Sequence, residues 1–180
     1  MAQARVAVFF PGTGYTCEMP LLKRTAARYE ALGYTAVRLD YGRVDFGPMA
    51  TVEEAAETVR ETVRAQTRAA LRRAVAPVFV GKSFGTLVAA ELAAETDADV
   101  RFVLYTPIPQ ADACFCKPEN VLFTAIGSRD PFYDAAALQA LCKRLGVRCF
   151  CIANAGHSLV PEGQSVVPEA VMAEMLALCR

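Results

Sequence analysis

Short runs of consecutive apolar residues alternate along this chain with longer stretches in which apolar residues recur every three or four positions. The runs at residues 5–10 (RVAVFF), 35–39, 78–80, 100–105, 120–126 and 147–152 have the length and the β-branched and aromatic content of strands covered on both faces. Between them lie helical patterns. One covers 20–32 and closes at Gly33. A second is opened by a capping box, Thr51 with Glu54 three residues on, and runs to about 75, with Val52, Ala56, Val59, Val63 and Ala70 on its apolar stripe. Others span 86–94 and 135–145, the latter stopping at Gly146. The last covers 168–179, with Val171, Met172, Met175, Leu176 and Cys179 turned inward. Residues 40–50 and 106–118, rich in glycine or proline, read as loops. Six strands alternating with helices predict one α/β domain over residues 1–180, a three-layer sandwich with a six-stranded parallel sheet at its centre.

Composition narrows the function classes. The chain has 180 residues, 54% of them apolar, enough for a proper core. Basic and acidic residues number 19 each, so no global charge draws it to nucleic acid or to an anionic membrane surface. Arg60, Arg64, Arg68 and Arg72 recur every fourth residue of the long helix. Acidic residues fill its first half and basic ones its second, which suits the helix dipole on a solvated face better than a polyanion site. The run after residues 1–5 is too short for a signal-peptide core, and no segment has the ~18 uninterrupted apolar residues of a membrane span, so a soluble cytoplasmic protein is expected. The seven cysteines, 17, 114, 116, 142, 149, 151 and 179, are expected reduced. Cys149 and Cys151 fall on one face of a strand, as small buried apolar residues would. Zinc shared with Cys114 and Cys116 would need a ligand spacing that thiolate sites seldom use.

Candidate chemistry concentrates at Gly81-Lys82-Ser83-Phe84-Gly85, which couples the third strand to the helix that follows. A serine on so sharp a turn projects its hydroxyl above the sheet, and a side chain at either glycine would strike a neighbouring strand or helix. The same letters do not form a phosphate-binding loop. That motif needs a glycine at position 76, where Ala76 stands before Pro77 and an extended run. Lys82 is therefore expected as an exposed side chain, either favouring an anionic substrate or pointing to water. Nor is Pro11-Gly12-Thr13-Gly14 a dinucleotide fingerprint, because Cys17 occupies the place of its third glycine.

Reacting groups of a parallel α/β sheet gather at the carboxyl ends of its strands. The Gly12–Tyr15 loop, Ser83, Asp130 and His157 all fall there. His157 is the sole histidine, and a neutral imidazole is the base a serine hydroxyl requires near neutral pH. A carboxylate must then fix its tautomer. Asp130, just after the fifth strand, is the first choice. Asp134 is the runner-up, being placed to cap the helix beginning at 135.

On these residues the chain resembles the α/β-hydrolase superfamily: the serine turn between strand and helix, the order serine, aspartate, histidine, and the post-strand positions of Asp130 and His157. The likeness spans essentially the whole chain and implies a reduced α/β-hydrolase fold. It implies Ser83 as nucleophile, and an oxyanion hole from the N–H of Phe84 with that of Thr13 or Gly14. Pro11-Gly12 stands where many members have His-Gly. A first strand at residue 5 and a loop of about a dozen residues after the fourth strand imply no N-terminal antiparallel pair and no cap, hence a shallow, open site. The expected function is a small serine hydrolase acting on carboxylic or thio esters, without a cofactor, with Tyr15, Tyr105, Phe115 and Tyr133 as pocket walls. The partners expected are a small-molecule ester and at most a second copy of the chain as a homodimer. The rival is a non-catalytic binding or scaffold protein on the same fold.

Overall fold

The structure, a computed structural model, describes residues 4–42, 44–47 and 49–180. The expectation for residues 1–5 therefore lies mostly outside the described residues, as does Pro48 of the 40–50 loop. Six strands, β1 (Val6–Phe10), β2 (Thr35–Arg38), β3 (Val78–Lys82), β4 (Arg101–Tyr105), β5 (Val121–Gly127) and β6 (Cys149–Ile152), form one sheet in the order β2-β1-β3-β4-β5-β6, every pair parallel. The serine turn thus leaves the middle of the sheet. β1 and β4 flank it.

Alternate residues of each strand feed two separate apolar layers, which is why the strand runs are apolar throughout. Val8, Phe10 and Phe79 face one layer, shared with α2 (Val52–Leu71), α3 (Phe84–Ala94) and α4 (Ala135–Leu145). Ala7, Phe9, Val78 and Val80 face the other, closed by α1 (Pro20–Ala31) and α5 (Glu169–Ala177).

Local rules explain the boundaries and the departures from them. Asp134 accepts from the N–H groups of Ala136 and Ala137, so it caps α4 as its position suggested. Thr51 Oγ1 accepts from the Glu54 N–H, but the Glu54 carboxylate in turn accepts from the Ala50 N–H, one residue earlier than a capping box places it. Helix α2 stops at Leu71 rather than near 75, and Val52 is exposed, because Ala55, Ala56, Val59, Val63 and Thr67 carry the buried face. The proline-rich segment expected to be irregular winds into 3₁₀ turns over Pro109–Cys116 and Pro118–Asn120. Arginines 60 and 64 are half-buried between the helices, while Arg68 stays exposed at their edge. All three reach Glu91 or Glu95 of α3 and tie the two helices together.

Cys149 and Cys151 do share one face, but they are half-buried rather than buried, with Phe150 and Ile152 the better covered pair. Among the described residues no three His, Cys, Asp or Glu side chains are placed to hold a metal ion, and no helix is long and apolar enough to cross a membrane.

Candidate active site

Ser83 sits between the end of β3 and the first residue of α3 at φ 55°, ψ −126°. A non-glycine residue there is strained by about 1–3 kcal/mol and must be held by its surroundings. The hold is visible. The Ser83 N–H donates to the Tyr105 carbonyl on β4 at 2.9 Å, while its own carbonyl accepts from both the N–H and the hydroxyl of Thr86. Gly81 and Gly85 make the turn possible. A Cβ on Gly81 would lie 2.8 Å from Thr86 Cα, and one on Gly85 would lie 2.2 Å from the Phe10 carbonyl oxygen at the end of β1. Helix and strand are the two collisions that the spacing implied.

The hydroxyl this turn raises meets His157. Its Nε2 lies 2.6 Å from Ser83 Oγ, and its Nδ1 lies 2.8 Å from Asp130 Oδ2. Asp130 has a second acceptor engaged, Oδ1 receiving the Phe132 N–H, so it closes a turn and faces the imidazole at once. Its side chain is 0% exposed. Burial pushes its carboxyl up, yet the hydrogen bonds from His157 and the Phe132 N–H, with the nearby charges of His157 and Lys82, outweigh that and hold it below its ordinary value. It is therefore a carboxylate at neutral pH. Asp134 takes no part.

His157 reaches Ser83 although β6 is three strands away from β3. The Arg129 N–H donates to the Ala155 carbonyl and the Ser128 hydroxyl accepts from the Asn154 N–H, which lashes the His157 loop to the loop after β5. Gly127 permits the close approach, because a Cβ there would stand 2.3 Å from the carbonyl oxygens of Ala155 and Gly156. Phe132, 60% exposed, lays its ring edge-on to the imidazole with centroids 4.6 Å apart.

The Phe84 N–H opens α3, where the first turn of a helix leaves donors without intrahelical partners. Thr13 and Gly14 form the exposed tip of a tight turn whose base is the pair of backbone hydrogen bonds between Gly12 and Tyr15. Gly12 packs on the nucleophile, its absent Cβ being 3.4 Å from that of Ser83, whereas a side chain on Gly14 would meet nothing within 4 Å. Tyr41 fixes this loop from behind by donating to the Pro11 carbonyl at 2.8 Å.

Three of the expected side-chain positions need correction. Lys82 is not exposed: it is 2% accessible, and its Nζ donates to Thr106 Oγ1 at 2.6 Å and to the His157 carbonyl at 3.0 Å. Burial lowers this ammonium to about 8, against the opposing pull of Asp130. The cue was strand parity, since residue 82 continues the buried face of Val78 and Val80. Tyr105 is not a pocket wall, being wholly buried with its hydroxyl 2.9 Å from that of Thr25. Phe115 likewise lies in the core, under the 3₁₀ turn. Tyr133 is half-buried and donates to the Asp112 carboxylate.

Tyr15 does line a cavity, of about 660 Å³, beside the Gly12 turn at the ends of β1 and β2, together with Leu39, Tyr41, Val44 and Phe46. None of Ser83, Asp130 and His157 borders it; Gly12 stands between. The 40–50 loop that builds its far wall was legible only as a loop.

No family model and no curated relative matches the chain. Solved structures do. The chain is similar over 99% of its length to a Xanthomonas campestris protein ascribed to the α/β-hydrolase superfamily, of which it covers 96%, at 20% identity and a TM-score of 0.67. It is similar over 98% of its length to a Pyrococcus furiosus esterase, covering 82% of that chain at 16% identity and a TM-score of 0.60. A third likeness covers 87% of this chain and 74% of an α/β serine hydrolase without a lid from Xanthomonas campestris, at 20% identity and a TM-score of 0.57. Likeness at such low identity speaks for architecture, and with the parallel sheet and the serine turn at its centre the chain has the α/β-hydrolase fold.

Proposed function

We propose that this protein is a serine hydrolase that cleaves carboxylic or thio esters of a small substrate through an acyl-enzyme on Ser83. The single observation that carries the reading is the unbroken chain of hydrogen bonds from Ser83 Oγ to His157 at 2.6 Å and on to Asp130 at 2.8 Å. The named hydrolases and esterase of the same fold support it at a coarser level.

In the proposed reaction, Ser83 Oγ bonds to the acyl carbon as its proton passes to His157 Nε2, and the carbonyl electron pair moves onto oxygen. Asp130 balances the imidazolium so formed. The developing oxyanion is met by the N–H of Phe84 and by that of Thr13 or Gly14; one such donor is typically worth ~100- to 1,000-fold in rate. Collapse breaks the ester bond, with the proton going from His157 to the leaving oxygen or sulfur. Water then repeats the sequence and frees the acid. Tyr15 and Tyr133 are proposed as substrate contacts.

The test is covalent. A fluorophosphonate probe should form an adduct on Ser83 of the native protein, and His157→Ala should reduce labelling at least ~100-fold. A native protein that hydrolyses neither p-nitrophenyl nor thioester substrates and takes no probe would overturn the reading in favour of a binding or scaffold role.

A further inference from the structure

The His157 loop has two kinds of anchor. From the β5 side come the Arg129 N–H to the Ala155 carbonyl, the Ser128 hydroxyl to Asn154, and Asp130 to the imidazole itself. Among the described residues, the hydrogen bonds to this loop from the β3 side are just two: the reacting contact of Ser83, and the Lys82 ammonium on the His157 carbonyl. Lys82 is the residue next to the nucleophile. The peptide that carries the nucleophile therefore also grips the backbone of its base.

Two of the ammonium's donors are hydrogen-bonded. An ammonium has three N–H donors. One goes to Thr106 Oγ1 at 2.6 Å and one to the His157 carbonyl at 3.0 Å, while the ring of Tyr15 lies 5.3 Å from Nζ. Thr106, itself 0% exposed, sits at φ 42°, a conformation a β-branched residue seldom adopts, directly after β4. Three loops, after β1, β4 and β6, thus converge on one cation at the end of β3. Filling the same space with an apolar side chain would avoid the desolvation of that charge, so space-filling does not account for a lysine.

We propose that Lys82 is a positioning residue that sets the imidazole of His157 over Ser83 by holding the His157 backbone carbonyl, with Thr106 orienting the ammonium. It contacts no reacting atom. The proposal rests on the serine-hydrolase reading for its consequence in rate, and on geometry alone for its consequence in the imidazole.

Because His157 is the sole histidine, its imidazole proton shared with Asp130 gives one assignable NMR resonance. In Lys82→Met this proton should exchange with water at least ~10-fold faster than in the native protein, and kcat on p-nitrophenyl acetate should fall ~10- to 100-fold with KM within ~3-fold. Thr106→Ala should change both readouts in the same direction by less. Adding it to Lys82→Met should add nothing, since the two act as a unit. Should Lys82→Met fail to fold, Thr106→Ala against Thr106→Ser carries the test, the serine restoring the slow exchange. An imidazole proton unchanged in both Lys82→Met and Thr106→Ala overturns the proposal. A native protein that takes no phosphonate defeats the hydrolase reading and not this one, because the imidazole proton reports the loop without turnover.

Discussion

A methyl group on Gly127 would lie 2.3 Å from two backbone carbonyl oxygens of the His157 loop, Ala155 and Gly156, neither of which can swing aside as a side chain would. Gly127→Ala must therefore push that loop off the end of β5 and carry the imidazole with it. The expected outcome is a loss of at least ~100-fold in kcat/KM, since about 1 Å of misplacement suffices for that, with ~1–3 kcal/mol lost from urea unfolding. Activity within ~3-fold of native would mean that the loop tolerates displacement. The serine turn announced its glycines because their obstacles, Thr86 and the end of β1, belong to the motif and its neighbouring strand. Gly127 was legible only as part of a turn, because its obstacle arrives from almost thirty residues away.

At the scale of elements, α2 and α3 are joined by more than their apolar faces. Glu95, the C-cap of α3, accepts from both Nε and Nη2 of Arg64 at 2.9 Å, with Arg60 and Arg68 also within reach. These hydrogen bonds and charges hold the Glu95 carboxyl below its ordinary value, the bonds from Arg64 foremost. Such pairs remain partly exposed and screened. Glu95→Gln is expected to cost no more than about 1 kcal/mol in low salt, a difference that should shrink markedly in ~1 M NaCl; a salt-independent cost would point to packing instead. The arginine period was evident in the sequence, and so was its match to the helix dipole. Its partners were not, because helix periodicity gives a face and says nothing about which helix lies opposite.

For the molecule as a whole, Lys82 links folding to pH. Its ammonium is lowered from 10.5 to about 8 in the folded protein, so between those values the unfolded chain binds more protons than the folded one. Stability from this site is therefore least below pH 8 and rises as pH climbs toward 10.5. Relative to Lys82→Met, the native protein should gain on the order of 3 kcal/mol of unfolding free energy across that interval, read by denaturant titration at each pH. A pH-independent difference would show that the amine is solvated. Subtracting the variant matters, because burial raises the Cys17 and Cys114 thiols to about 12 and so works in the opposite direction over the same range. The amino-acid sequence by itself determined the succession of strands and helices, the parallel sheet that follows from it, and the candidate residues at one edge, because hydrophobic period, caps and the glycine-flanked serine act over a few neighbouring residues. Tertiary structure alone decided that the Lys82 ammonium meets Thr106 and the His157 carbonyl, that Tyr105 and Phe115 belong to the core, and that a cavity opens beside Gly12. Burial and proximity are properties of side chains brought together from distant positions, and no local pattern encodes which ones will meet.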